Sequence, residues 1–238
     1  MTENIVYTPL EEAVSFYTRN DFAIYIALML GNHGRLWEDA KIAYKDNSDI
    51  IAEFERGERK VESSEDVKWL NCLRKRVIGE LDDAARSKII ETAKSDISLL
   101  LNAMTPLEEP LKLYRSAWVN SADTAEGAFA FSREYSSLEI AENDVFDIGV
   151  ITSCSLTPYR AEDDLGSERF GYIIDVPKGI PVLKLDDFSC HNEDGEVLLP
   201  PMRFRVLRRV KGGQVGERET IDICCDGVLE CGAWMRRQ

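Results

Sequence analysis

The chain has 238 residues, 44% hydrophobic and 30% charged, which are proportions of a globular protein able to bury a sizeable core. Its 29 basic and 43 acidic residues leave a formal net charge of -14, which argues against a broad nucleic-acid-binding face. No apolar run approaches the roughly 20 residues needed to cross a bilayer, and Met1-Thr2-Glu3-Asn4-Ile5 lacks the basic start and apolar stretch of a secretory signal.

The first hundred or so residues read as helices. Thr8-Pro9 suits an N-cap followed by a first-turn proline, and opens a helix through Leu10-Glu11-Glu12-Ala13-Val14. Phe22 to Leu30 is apolar and helix-compatible, closed by Gly31-Asn32-His33-Gly34. Ala40 to Glu55 and Glu65 to Glu80 carry mixed charge on a helical period. Between them, Arg56-Gly57-Glu58 and Glu62-Ser63-Ser64-Glu65 make an exposed connection. Asp83 to Met104 repeats Ile89, Ile90, Ala93, Ile97, Leu100 and Leu101, a helical stripe expected to face a core.

The prolines of Thr105-Pro106-Leu107-Glu108-Glu109-Pro110 end the helical part. Short strands follow at Leu111–Trp118, Phe146–Ser153, Arg169–Val176, Pro181–Leu185, Glu196–Leu199, Arg203–Val210 and Thr220–Cys225. Val176-Pro177-Lys178-Gly179 and Lys211-Gly212-Gly213 supply turns, and a helix carrying Phe129 and Phe131 is expected between Ser121 and Glu142. The expected architecture is α+β: a helical N-terminal part (1–110) packed on a mostly antiparallel two-sheet β core (111–238), together one domain.

The cysteines, Cys72, Cys154, Cys190, Cys224, Cys225 and Cys231, form no paired CxxC arrangement and read as small buried hydrophobes kept reduced. With only His33 and His191, no metal site and no Ser-His-Asp triad is expected. Arg203, Arg205, Arg208, Arg209 and Lys211 read as solvated strand-end charge.

Three segments concentrate the chemistry: Leu113-Tyr114-Arg115-Ser116, Ile151-Thr152-Ser153-Cys154-Ser155-Leu156-Thr157, and His191-Asn192-Glu193-Asp194-Gly195-Glu196-Val197-Leu198-Leu199-Pro200-Pro201. The last delivers Glu196 at the mouth of an apolar strand, where half-desolvation strengthens its charge. The guanidinium of Arg115 is a fork of donors suited to phosphates or to a network fixing a ribose. Arginine, then serines, then glutamate is a set able to hold a pyrophosphate and break an N-glycosidic bond.

These segments resemble the R-S-E class of mono-ADP-ribosyltransferases, which includes clostridial ADP-ribosylating toxins and small phage-encoded transferases. The resemblance runs from about Leu111 to Leu207. Leu113-Tyr114-Arg115-Ser116 looks like the first-strand arginine motif, and Ser153-Cys154-Ser155 like the Ser-Thr-Ser strand with Cys in the middle. Tyr172-Ile173-Ile174-Asp175-Val176-Pro177-Lys178-Gly179 resembles the strand after the nicotinamide-contacting loop, Glu196-Val197-Leu198-Leu199-Pro200 the catalytic glutamate strand, and Arg203-Phe204-Arg205-Val206 the last core strand.

The resemblance implies NAD as co-substrate and a macromolecular acceptor, protein ahead of nucleic acid, with no membrane or metal. It implies action in the cytoplasm of the producing or of a target cell. Glu196 would drive nicotinamide loss, Arg115 and Ser153 would position the dinucleotide, and Asp194 would assist the acceptor. Ser155, Tyr159, Arg169 and Phe170 would complete the NAD-binding set, with Arg160, Phe188 and His191 as further contacts. One departure stands out: the family places Glu or Gln two residues before the catalytic Glu, and here Asp194 has a shorter reach. That weakens arginine-directed transfer and favours water as an alternative acceptor, the reaction of an NAD glycohydrolase. A catalytically inactive binding module on the same fold is the non-enzymatic alternative.

Overall fold

The computed structural model of the chain describes residues 6–18, 22–31, 33–76, 82–118, 141–158, 169–185, 195–210 and 220–230. The chain divides between Ala103 and Met104 into a helical unit and a β unit. The segment expected to carry Phe129 and Phe131 lies outside the described residues.

In the helical unit, side chains satisfy the first free N–H groups of three helices. Thr8 and Glu11 form a reciprocal capping box at α1 (Pro9–Thr18): the Glu11 N–H donates to Thr8 Oγ1 at 3.3 Å and the Thr8 N–H to Glu11 Oε2 at 2.6 Å. Ser63 and Asp66 repeat the arrangement at α4 (Ser64–Arg76), and Asp82 accepts from the Ala85 N–H ahead of α5 (Asp83–Ala103). Between them, α2 (Phe22–Met29) is apolar all round and buried from Ile24 to Met29, the burial such a helix requires. Gly31 ends that stretch at φ +69, donating its N–H to the Leu28 carbonyl. The long α3 (His33–Arg56) begins seven residues before the expected Ala40, and Gly57 stops it at φ +73. On α5, Ile89, Ala93, Ile97 and Leu100 are buried as the stripe predicts, while Ile90 and Leu101 sit at its half-exposed margin.

In the β unit, β1 (Thr105–Pro106), β2 (Leu111–Trp118), β3 (Val145–Ile148), β4 (Thr152–Ser155), β5 (Arg169–Val176), β6 (Pro181–Lys184), β7 (Glu196–Leu199), β8 (Met202–Val210) and β9 (Thr220–Val228) pair in the order β1-β6-β7-β4-β2-β5-β9-β8-β3. Among the described strands only β5 and β9 run parallel; the other pairings are antiparallel. The expected two sheets are two halves of this ladder, joined at the single β2–β4 register pair Tyr114↔Ser155.

The outer strands alternate. On β8, Met202, Phe204 and Val206 are buried while Arg203 and Leu207 face out. Here three arginines of the expected basic cluster find acidic partners across the ladder: Arg203 with Asp147 through two bonds of 2.7 and 2.8 Å, Arg205 with Asp226 at 2.7 Å, and Arg208 with Asp222 at 2.6 Å. Such exposed pairs add little stability, but they neutralise these three charges. The strand β7 differs, being buried along its whole length between β6 and β4. A strand covered on both faces is apolar throughout, and this one is, except at its first residue, Glu196.

Candidate active site

Glu196 is therefore a carboxylate at the end of a dry strand, 8% exposed, with Val197, Leu198 and Leu199 fully buried behind it. Its backbone is pinned on both sides, by the register pair Ser155↔Glu196 toward β4 and by the Leu185 N–H, which donates to its carbonyl at 3.0 Å. Its side chain is pinned too: the Ser153 hydroxyl donates to Glu196 Oε1. Alternation along β4 puts Ser153 on the same face as Ser155, so the register that pairs Ser155 with Glu196 brings the Ser153 hydroxyl to the carboxylate.

Arg115 is 8% exposed, and its Nη1 donates to the Ser153 carbonyl. One serine thus carries both contacts, its carbonyl on the guanidinium and its hydroxyl on the carboxylate. Because β2 and β4 share only one register pair, the Arg115–Ser153 bond also ties the two halves of the ladder where they meet. The Ser155 hydroxyl lies 3.1 Å from Thr157 Oγ1 and accepts the Thr157 N–H at 3.0 Å, a local turn that closes the end of β4.

Arg169 and Phe170 are placed as the backbone that opens β5, opposite Trp118 and Ala117. Asp194, Tyr159, Arg160, Phe188 and His191 lie outside the described residues. Thr157 and Gly195 carry geometry that the sequence reading did not single out. Their signals, a Ser-x-Thr turn and a glycine after an acid just before a strand, are common ones. An open groove of about 580 Å³, lined by Thr105–Leu111 and Val182–Lys184, contains none of the site residues.

Between the two serines, Cys154 is buried, and its thiol is pushed up to about 12 by burial; the Glu196 charge adds to this and Arg115 opposes it. Burial also pushes up Cys72, to about 11, as well as Cys225 and the half-exposed Cys224. Each folded-state value lies above the unfolded one. The stability these thiols contribute is therefore full below the ordinary thiol range and lost as pH rises through the folded values. Among the described cysteines, iodoacetamide at pH 8 is accordingly expected to label Cys224 first and to leave Cys72, Cys154 and Cys225 unmodified until urea is added, with peptide mass mapping as the readout. Rapid native labelling of Cys154 would contradict its burial beside the site. Among the described residues no group of His, Cys, Asp and Glu is arranged to hold a metal ion, and no helix is long and apolar enough to cross a membrane.

No protein-family profile and no curated protein sequence matches the chain. Solved structures do. Plx2a, an ADP-ribosyltransferase toxin from Paenibacillus larvae, is similar with a TM-score of 0.50 at 13% identity, over 93% of this chain and 88% of that one. C3stau2 from S. aureus, solved with NAD, gives a TM-score of 0.50 at 13% identity, over 94% and 89%. The catalytic domain of VsdC from Aeromonas hydrophila gives 0.50 at 11% identity, over 92% of this chain and all of that one (100%). The chain has the α+β fold of ADP-ribosyltransferase toxins, and the resemblance read from its motifs holds at the level of the fold.

Proposed function

We propose that this chain is an NAD-dependent mono-ADP-ribosyltransferase, one domain from end to end, which releases nicotinamide and transfers ADP-ribose to a protein acceptor. The observation that carries the reading is the Ser153–Glu196 hydrogen bond: a buried carboxylate held in place by a hydroxyl, with an arginine on the same serine. The donor set fits the dinucleotide, since it combines a guanidinium, a hydroxyl and a desolvated carboxylate and needs no metal. NAD supplies the N-glycosidic bond, whose cleavage develops positive charge on the nicotinamide ribose.

Glu196 stabilises that charge through the ribose 2′-hydroxyl, and Ser153 keeps the carboxylate from rotating away. Arg115 holds Ser153 and contributes positive charge toward the phosphates. The bonding pair of the glycosidic bond leaves with nicotinamide, which departs neutral. The acceptor's nucleophile then bonds to the ribose carbon and gives up its proton, for which Asp194 is the proposed base. The fold shared with toxins supports action on a protein inside a target cell.

Purified protein incubated with labelled NAD is expected to release nicotinamide faster when cell lysate is added, and to transfer label to a protein band. Equal release with and without lysate, yielding free ADP-ribose alone, would replace the transferase with a glycohydrolase. Asp194, with its shorter reach, is the feature that favours that second reading. Absence of both release and NAD binding would leave the inactive binding module.

A further inference from the structure

We infer that Gly195, packed against Leu156, is a positioning residue that sets where the Glu196 carboxylate stands; what that carboxylate does rests on the transferase reading. Gly195 is the last residue before β7 and holds φ +65, a conformation strained for residues with a side chain. A Cβ added there would lie 2.8 Å from Leu156 Cδ1, 3.1 Å from Leu156 Cβ and 3.3 Å from its Cγ. The tip of a leucine can swing aside, but its Cβ is fixed by its backbone. That backbone is itself fixed to Gly195, because the Leu156 N–H donates to the Gly195 carbonyl at 3.1 Å.

Rotation of the leucine relieves the contact with its tip, whereas the 3.1 Å to Cβ requires the Leu156 backbone to give by a few tenths of an ångström. Leu156 directly follows Ser155, the register partner of Glu196, and lies three residues beyond Ser153. A side chain at position 195 must either push the end of β4 outward or turn the backbone out of positive φ. Both movements carry Glu196 away from the Ser153 hydroxyl.

The other described glycines of positive φ contrast with it: Gly31, Gly57 and Gly179 have nothing within 4 Å of the place a Cβ would occupy. They end helices or form a turn, and of these four Gly195 alone has atoms within 4 Å of that place, the three nearest all from Leu156. Leu156, though a large apolar side chain, is 38% exposed, so core burial alone does not account for its place against Gly195.

The test measures nicotinamide release and solves crystal structures for wild type, Gly195→Ala and Gly195→Ala/Leu156→Gly, which removes the Leu156 Cβ as well, with Gly57→Ala as the control. Gly195→Ala is expected to lose about a hundredfold in kcat, with KM for NAD within about threefold, the pattern of a misplaced catalytic group. Its crystal structure should show the Ser153–Glu196 hydrogen bond broken. The double variant should recover about tenfold of the loss, since the crowding is relieved and the positive φ remains. Gly57→Ala imposes the same backbone strain in the helical unit and should leave kcat unchanged.

If Gly195→Ala does not fold, Gly195→Asn, which tolerates positive φ but keeps a Cβ, takes its place with the same expectation. A retained Ser153–Glu196 bond in the crystal, or a wild-type kcat, would overturn the inference. Should wild type itself release no nicotinamide, the transferase reading falls, and the crystal comparison alone decides the positioning role.

Discussion

Glu196→Gln is expected to release nicotinamide from NAD at least about a hundredfold more slowly than wild type, while folding normally and binding NAD with little change. Glutamine has the shape of glutamate, and the Ser153 hydroxyl can donate to its amide oxygen as it donates to Glu196 Oε1. The pairings of Ser155 with Glu196 and of Cys154 with Val197 run through the backbone and are untouched. What disappears is one negative charge, at the end of a strand whose other three residues are fully buried. In such a site a charge matched to a developing cation acts through a low effective dielectric. Losing a preorganised partner of this kind costs about 3–4 kcal/mol, roughly two to three orders of magnitude in rate. The loss belongs in kcat, because positive charge on the ribose exists only as the glycosidic bond breaks. Nicotinamide release followed by chromatography, with calorimetry for NAD binding, separates the two terms. Equal rates for wild type and variant would remove Glu196 from the chemistry, and with it the transferase reading.

The strands Leu111–Trp118, Arg169–Val176 and Glu196–Leu199 are legible in the sequence with the bounds the structure has, since turn residues or prolines bracket them. The run read as one strand, Phe146–Ser153, is in fact two. It splits into β3 at one end of the sheet and β4 between β7 and β2, with a break at Gly149-Val150-Ile151. Val150 and Ile151 are both buried, so apolarity continues through the break and hides it. Partner choice is what separates the two strands, and partners come from residues far along the chain. The same reason keeps the parallel β5–β9 pairing out of reach of local pattern.

In the candidate site, the residue types and their order are legible, whereas the contacts are not. Arg115 reads as a fork of donors for phosphates or for a network fixing a ribose, and the structure turns one of those donors onto a backbone carbonyl 38 residues away, a contact that no local pattern announces. Ser153 and Glu196 meet across 43 residues because two strands pair in one particular register. Gly195 reads as ordinary turn punctuation. Its significance comes from Leu156, a neighbour only after folding.

The second large effect lies in the helical unit, where Asp96→Ala is expected to cost about 3–5 kcal/mol of stability. Asp96 and Arg76 are each 7% exposed and form an ion pair at 2.8 Å. The Tyr25 hydroxyl donates to the same carboxylate at 2.7 Å, Arg76 Nη1 donates to that hydroxyl at 3.3 Å, and Arg76 Nε reaches Glu12 at 3.2 Å. The guanidinium also lies 3.5 Å from the centre of the Phe16 ring. One cluster therefore ties α1, α2, α4 and α5 together. Removing Asp96 takes from the buried Arg76 its 2.8 Å partner, leaving the more exposed Glu12 as its acidic partner among the described residues, and takes from Tyr25 an acceptor of its hydroxyl. Asp96→Asn keeps a neutral acceptor and should cost less. The pair Arg76→Met/Asp96→Leu removes both charges at once and should lose less than Asp96→Ala, since breaking a buried ion pair is far more damaging than replacing it, while falling short of wild type because the buried Tyr25 hydroxyl loses both of these contacts. Urea unfolding followed by far-UV circular dichroism ranks the three variants. A loss below about 1 kcal/mol for Asp96→Ala would mean that the guanidinium is compensated without Asp96, and the four helices would then owe their cohesion to apolar packing such as the Phe16–Trp69 contact at 4.9 Å.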